Sequence, residues 1–155
     1  MGGSTLDVYE LPRDADETLK EKIADLFMQQ ISMHGEGDSY TLVRNGIEQV
    51  LDENSTSRIL IAEEEGAILG MALLNIGISL RDGGKYVWLN ELYVDNEYRN
   101  KGIGRKLLLH IIYWAENENI KTIELETGVS NSVTKYLYNS LGFYDVVSKR
   151  YGFRF

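Results

Sequence analysis

The sequence has no cysteine and a single proline among its 155 residues. Without cysteine the chain cannot form disulfides, thiolate zinc sites or iron–sulfur clusters, and a cysteine nucleophile is excluded. No apolar run approaches the roughly 18 residues that a membrane-spanning helix needs. The N-terminus also lacks the basic and apolar segments of a signal peptide. We therefore expect a soluble, cytoplasmic protein with no membrane partner.

Basic residues are also scarce, since 16 Lys and Arg stand against 24 Asp and Glu, for a formal net charge of −8. Nucleic-acid backbones attract clustered cations, so we expect no nucleic-acid partner. The acidic balance would help to attract a cationic substrate, although it is equally typical of a solvated surface. The two histidines stand apart in the sequence. With no cysteine to join them, we expect no metal site.

The apolar residues change their period along the chain, which predicts one mixed α/β domain over residues 1–155. The predicted order is β-α-α-β-β-β-α-β-α-β-β, with antiparallel hairpins first and a strand–helix–strand crossover later. Helices flank a mostly antiparallel sheet in this prediction. The predicted strands are residues 6–11, 57–79 (two strands joined near Glu65-Gly66), 85–94, 120–128 and one or two in 143–155. The predicted helices are residues 15–32, 41–53, 105–119 and 132–142.

Three cations and two glycines lie within residues 97–105 of the segment EYRNKGIGRKLLLH (97–110), which then continues as an apolar helical pattern. A helix N-terminus presents unpaired N–H groups and a positive dipole end, and glycine lets a ligand approach the backbone. With Arg99, Lys101 and Arg105, these features predict a phosphate or pyrophosphate site. A P-loop does not fit, because the lysine precedes the glycine, and Leu107 replaces the third glycine of a Rossmann fingerprint. A tight strand–helix connection with solvated cations is the alternative.

Two segments, LYVDNEYRNKGIGRKLL (92–108) and NSVTKYLYNSLGF (131–143), lie in this order along the chain. The first resembles the acetyl-CoA-binding motif R/Q-x-x-G-x-G/A of the GNAT superfamily of N-acetyltransferases. The second resembles another motif of that family, an Asn followed seven residues later by Tyr and then by Leu-Gly-Phe. The resemblance spans roughly residues 57–147. The matching residues are Arg99, Gly102 and Gly104 in the first segment and Asn131, Tyr138, Leu141, Gly142 and Phe143 in the second.

The resemblance implies that strands 85–94 and 120–127 splay apart and hold acetyl-CoA between them. Backbone groups of residues 92–94 would then bind the pantetheine arm and the thioester carbonyl, and the loop 99–105 would hold the pyrophosphate. The implied cofactor-binding residues are Leu92, Tyr93, Val94, Arg99, Asn100, Lys101, Gly102, Ile103, Gly104, Arg105 and Asn131.

Direct acetyl transfer requires that the amine lose a proton, that an oxyanion be stabilised and that a thiolate leave. The resemblance assigns the general acid to Tyr138, for which a plain core tyrosine is the alternative. It offers two general bases, Glu91 and Glu126, and either could instead be a solvated strand carboxylate. Deprotonation through water bound at Asn90 is also open. The Val94 N–H is the candidate oxyanion donor.

The sequence thus predicts an N-acetyltransferase that acetylates a primary amine of a small molecule, with acetyl-CoA as its cosubstrate. The acceptor is expected to be polyamine-like or another small amine. Peptide or protein N-termini and aminoglycosides are further possibilities. A non-catalytic acyl-CoA-binding sensor or scaffold is the alternative function. The basic, aromatic tail 148–155 suits either an anionic substrate or an edge strand in a homodimer.

Overall fold

A computed structural model of the chain describes residues 5–31, 38–126 and 132–155. The strands in these ranges are β1 (Asp7–Glu10), β2 (Ser57–Glu64), β3 (Ala67–Ser79), β4 (Gly84–Val94) and β5 (Thr122–Leu125). The helices are α1 (Glu17–Ile31), α2 (Ser39–Val50), α3 (Ile103–Asn117) and α4 (Ser132–Ser140), and a short 3-10 turn covers Asn96–Tyr98. The elements follow the order β1-α1-α2-β2-β3-β4-α3-β5-α4.

The five strands form one sheet in the order β1-β2-β3-β4-β5. Neighbours from β1 to β4 are antiparallel, whereas β5 is parallel to β4 and is reached through α3. The β2–β3 hairpin turns at Glu65 and Gly66, whose φ angles of 51° and 82° suit a two-residue turn that follows the twist of the strands. The sheet confirms the predicted mixed α/β fold.

Helices cover both faces of the sheet, and each face has its own apolar core. On one face α3 packs against β2, β3 and β4, and on the other α1 and α2 pack against the sheet. The buried residues on the α3 side are Leu60, Ala62, Leu69, Ala72, Leu74, Val87, Leu89, Ile103, Leu107, Leu108 and Ile111. Those on the α1/α2 side are Leu11, Ile23, Ala24, Leu26, Ile47, Ile59, Ile61, Ile68, Met71 and Tyr93. Strand β4 contributes to both cores, so its position is fixed from two sides.

The apolar stripe predicted for α3 is confirmed, since Leu107, Leu108 and Ile111 have no exposed surface. Burial of a side chain of this size contributes about 1.5–3 kcal/mol. Helix α1 begins after Asp16, whose carboxylate accepts a hydrogen bond from the Leu19 N–H at 2.9 Å and so acts as an N-cap. None of the helices in the described ranges is long and apolar enough to cross a membrane.

The strand or strands predicted for residues 143–155, the last elements of the predicted order, are not formed, and this prediction was wrong. The whole segment lies outside helices and strands, and β5 pairs with β4 alone in the described part of the chain. An alternating apolar pattern favours a strand only where a neighbouring strand and an apolar layer are available. This tail covers no core that would offset the entropy lost on ordering it. Its exposed apolar residues are Tyr144, Val146, Val147, Tyr151, Phe153 and Phe155.

Candidate active site

Strands β4 and β5 pair over a short length only. Their parallel pairing ends at Leu89 opposite Leu125, whereas β4 continues alongside β3 to Val94. Residues 90–94 therefore pass beyond β5 with no strand paired on that side in the described ranges. We call the space beside this segment of β4, beyond the end of β5, the wedge, and backbone groups of β4 line it on one side.

Backbone polar groups of β4 point into this wedge at alternate residues. The Asp95 N–H donates to Leu69 O at 2.8 Å, which places Val94 at a non-hydrogen-bonded position of the antiparallel ladder. By the same alternation the N–H and C=O of Tyr93 are directed to β3, and those of Leu92 and Val94 are directed to the wedge. Of the three residues predicted to bind a pantetheine arm, Leu92 thus has both backbone groups available for it and Val94 has its N–H, because Val94 O accepts a hydrogen bond from Arg99 Nε at 3.3 Å.

The loop between β4 and α3 leaves the first turn of α3 open. The Asp95 carboxylate caps the 3-10 turn, and Asn100 and Gly102 then take φ angles of 65° and 81°. Gly102 is the N-cap of α3 and supplies no side-chain cap, and the first helical bond runs from the Lys106 N–H to Gly102 O at 3.0 Å. The N–H groups of residues 103–105 are therefore directed outward, at the positive end of the helix dipole, where an anion is favoured.

Three cations surround this helix start, and none of the ion pairs found in the described ranges involves them. The guanidinium of Arg99 lies 5.2 Å from the ring centroid of Tyr93. The Nζ of Lys101 lies 5.2 Å from the ring centroid of Tyr98. Arg105 Nη1 donates to Ser140 Oγ at 3.1 Å, which ties α4 to α3. These cations have no acidic partner in the described ranges and lie beside outward-pointing N–H groups. Such an arrangement is suited to binding a diphosphate.

Tyr138 packs on the α3 side of the sheet, in the same apolar cluster as Leu92 and Val94. The end of α4 fixes its position, because the Phe143 N–H donates to Tyr138 O at 3.1 Å and Gly142 has a φ of 98°. This is a Schellman ending, and it confirms the predicted stop at Gly142. The ring of Phe143 meets that of Tyr138 edge-on at 5.7 Å. Burial raises the pKa of the Tyr138 phenol, so this hydroxyl keeps its proton at neutral pH.

A β-bulge at Asn90 determines which face of the sheet Glu91 occupies. Leu74 lies opposite Leu89, whereas the preceding residue of β3, Leu73, lies opposite Glu91, so Asn90 is the extra residue. The alternation of side chains restarts after it. Leu89 consequently belongs to the core on the α3 side, and Glu91 lines a cavity on the opposite side of the sheet.

This cavity measures about 160 Å³ and lies between α1, α2 and the sheet. Burial raises the pKa of the half-buried Glu91 carboxyl, and the amide of Gln30 has a smaller opposing effect. The Gln30 Nε2 is itself buried and meets no acceptor with full hydrogen-bond geometry in the described ranges. Besides Glu91, the lining residues are Ile23, Phe27, Val43, Gly46, Ile47, Val50, Ile59, Met71 and Leu73.

The sequence model of the acetyltransferase (GNAT) family matches residues 20–143. This range contains β4, β5, the glycine loop, α3 and α4. The chain belongs to the GNAT acetyltransferase family. Membership accounts for the order of elements that carries the site, from the antiparallel hairpins through α3 to α4.

Known relatives of this GNAT chain include acetyltransferases of several kinds. The ribosomal protein bS18-alanine N-acetyltransferase of Escherichia coli K12 is 39% identical to this chain over 62 residues. These residues are 40% of this chain and 42% of the relative, so the chain spans less than half of that protein. A possible acetyltransferase from Clostridium difficile 630 superposes with a TM-score of 0.80 at 21% identity, over 97% of each chain. The aminoglycoside N-acetyltransferase AAC(6')-Iy in complex with CoA superposes with a TM-score of 0.74 at 18% identity, over 99% of this chain and 97% of its own. At these identities the two structures show a shared fold.

The GNAT chain places its two predicted bases in different surroundings. Glu91 lies in the cavity wall, whereas Glu126 follows β5, is exposed and pairs with Arg150 at 2.6 Å. Asn131, predicted to contact the pantetheine, lies outside the described residues. In the described ranges no group of three or more His, Cys, Asp or Glu side chains lies close enough to hold a metal ion.

Neither the apolar cavity of this GNAT chain nor the part that Gln30 plays beside Glu91 was predicted from the sequence. The available signal was Gly46, which stands within α2 and leaves that helix without a side chain where the cavity opens. Asn75 donates to the exposed side chain of Asn90, so the residue suggested for a water relay already has a protein partner.

Proposed function

We propose that the protein transfers the acetyl group of acetyl-CoA directly to a primary amine of a small molecule. The observation that carries this proposal is the wedge beside β4, which has an anion-binding helix start at one end and Tyr138 on one face. The names of its relatives, which are N-acetyltransferases, support the same activity.

Acetyl-CoA fits the wedge by the chemistry of its parts. Its diphosphate would take the N–H groups of residues 103–105 together with Arg99, Lys101 and Arg105. The amide groups of its pantetheine arm would pair with Leu92 and Val94 as an added strand pairs with a sheet edge. Asn100, Gly102, Ile103 and Gly104 would shape the loop, and Asn131 would contact the arm as the family motif implies.

In the reaction the amine nitrogen forms a bond to the thioester carbonyl carbon, and the carbon–sulfur bond then breaks. Glu91 takes the proton that the ammonium must lose before it can attack, directly or through water. The Val94 N–H, directed into the wedge, stabilises the oxyanion. Tyr138 gives its proton to the departing CoA sulfur, and the second proton that the nitrogen loses as the amide forms restores the phenol. Because Glu91 and Tyr138 lie on opposite sides of the sheet, the amine arrives on one side and the thiol leaves on the other.

Glu91 is a better candidate for the base than Glu126. Its carboxyl is half-buried, carries a raised pKa and faces a cavity that an acceptor can enter. Glu126 is exposed and held by Arg150, and a carboxylate in an ion pair is a weaker base. The base is therefore expected on the α1/α2 side of the sheet.

Thiol release from acetyl-CoA, measured with a panel of primary amines, tests the proposal. We expect turnover with at least one amine. Glu91→Gln should lower kcat about 100-fold or more, within the range typical of a positioned base, whereas Glu126→Gln should keep near-parent rates. Loss of activity in Glu126→Gln alone would reverse the assignment. If CoA binds and raises the melting temperature but no amine releases thiol, the chain is a non-catalytic acyl-CoA-binding module.

A further inference from the structure

We infer that the amine acceptor carries an apolar group of about six carbon atoms, which enters the cavity between α1, α2 and the sheet while its amino group meets Glu91. This inference rests on the proposed acetyl transfer and names the class of amine that the site selects. It favours an alkylamine over the polyamine-like acceptor that the sequence suggested.

The volume of the cavity sets the size of the group. The cavity measures about 160 Å³, and an apolar protein cavity of about 150 Å³ holds one benzene molecule. A straight chain or a ring of about six carbons is therefore the largest group that fits without displacing the wall. A longer chain would have to leave through the open side of the cavity or push α2 outward.

The chemistry of the wall sets the polarity of the group. Nine of the ten lining residues, all except Glu91, are apolar residues or glycine. Neighbouring charges on α1 and α2 are paired with each other, Lys20 with Glu48 at 2.8 Å and Arg44 with Glu17. A second ammonium group on the acceptor would enter the cavity without a carboxylate of its own, and burying an unpaired charge is costly.

The position of Glu91 links the cavity to the reaction. The next residue, Leu92, directs its backbone groups into the wedge that would hold the thioester. An amine bound at the Glu91 carboxylate would thus lie at the border between cavity and wedge. Its apolar group would extend away from the wedge, between Ile23 and Ile47 on the helices and Met71 on the sheet.

Two amines with the same number of non-hydrogen atoms provide the sharpest test. Hexylamine ends in a methyl group where 1,5-diaminopentane ends in a second ammonium. We expect kcat/KM to be at least about 100-fold higher for hexylamine, because the diamine would bury an unpaired charge. From ethylamine to hexylamine, kcat/KM should rise by about fourfold for each methylene buried. Equal or higher kcat/KM for the diamine would overturn the inference.

Variants that fill the cavity give a second test that does not depend on the choice of amine. A Cβ added at Gly46 meets no atom within 4 Å, so Gly46→Leu is compatible with the fold, and Val43→Phe fills the same space from the next turn of α2. Each should lower the ratio of hexylamine to ethylamine kcat/KM at least tenfold. Asn45→Leu adds a leucine to the exposed face of α2 and is the matched control. An unchanged ratio in both filling variants would contradict the inference.

Calorimetry of hexylamine with CoA-loaded protein separates failure of this inference from failure of the proposed function. If hexylamine binds, and Gly46→Leu weakens its binding, but no amine is acetylated, the cavity is an amine site and the transferase proposal is wrong. If other amines are acetylated while hexylamine neither binds nor reacts, the protein is a transferase and the inference is wrong.

Discussion

Replacement of Tyr138 by Phe removes one hydroxyl from the site and leaves the aromatic ring in place. The ring packs edge-on against Phe143 and belongs to the apolar cluster on the α3 side of the sheet. No hydrogen bond to this hydroxyl is found in the described ranges, and burial alone accounts for its raised pKa. The substitution therefore tests proton donation with little change in packing.

The expected effects on rate and on stability have opposite signs. Loss of a positioned proton donor lowers kcat by about 10²–10⁴-fold, and KM for acetyl-CoA should change little because this interaction strengthens in the transition state. A fully buried polar group without a partner costs about 1–3 kcal/mol. For a half-buried hydroxyl we expect the variant to be as stable as the parent or more stable by up to about 1 kcal/mol, which is about 2–4 °C in melting temperature for a chain of this size.

Steady-state thiol release with a good amine acceptor and a thermal melt, run on the same preparation, measure both effects. Tyr136→Phe, on the exposed face of the same helix, is the control and should change neither kcat nor the melting temperature. Full kcat in Tyr138→Phe would refute the acid assignment, and the sulfur would then leave with help from water or as a free thiolate. A clear fall in melting temperature would show instead that the hydroxyl makes a stabilising bond.

Two further predictions concern the loop and the carboxylate. Gly104→Val should weaken CoA binding, measured by calorimetry, at least about 100-fold, because a side chain there obstructs the approach to the helix start. The fold should survive, since the added Cβ would meet Val94 Cγ2 at an ordinary 3.7 Å. If the variant binds CoA as the parent does, the loop is only a structural turn. Glu91→Gln should raise the free energy of unfolding at neutral pH. Burial raises the pKa of Glu91 in the folded state, so the parent protein loses stability as pH rises from the ordinary carboxyl range through that pKa. The gain should vanish under acidic conditions, and a gain that is constant with pH in urea titrations would contradict the burial argument.

Local pattern was sufficient to predict most of the fold. The helical stripe at Leu107, Leu108 and Ile111 is buried as its period predicts, and Glu65-Gly66 forms the expected hairpin turn. The tail 143–155 was mispredicted because its alternating residues carry the local signature of a strand but no information on a partner strand. Pairing depends on residues far away in sequence, and pattern within a segment does not report it.

The candidate site was predictable only where residues close in sequence build it. Arg99 and the glycine loop follow from a short motif, because neighbouring residues build a helix start together. The different surroundings of Glu91 and Glu126 could not be predicted from the sequence. They depend on a bulge in β4 and on the ion pair with Arg150, and no pattern of neighbouring residues indicates either. The cavity could not be predicted either, because residues of α1, α2 and the sheet form it together.

The extra residue at position 90 lets Leu89 and Glu91, two positions apart in β4, face opposite sides of the sheet. Asn90 itself is exposed, so many side chains should be tolerated there. Without it Leu89 would still lie opposite Leu74 and Glu91 opposite Leu73, so the ladder would become regular and Glu91 and Tyr93 would keep their faces. Libraries intended to change acceptor choice can therefore vary or remove position 90 together with the side chains around the cavity.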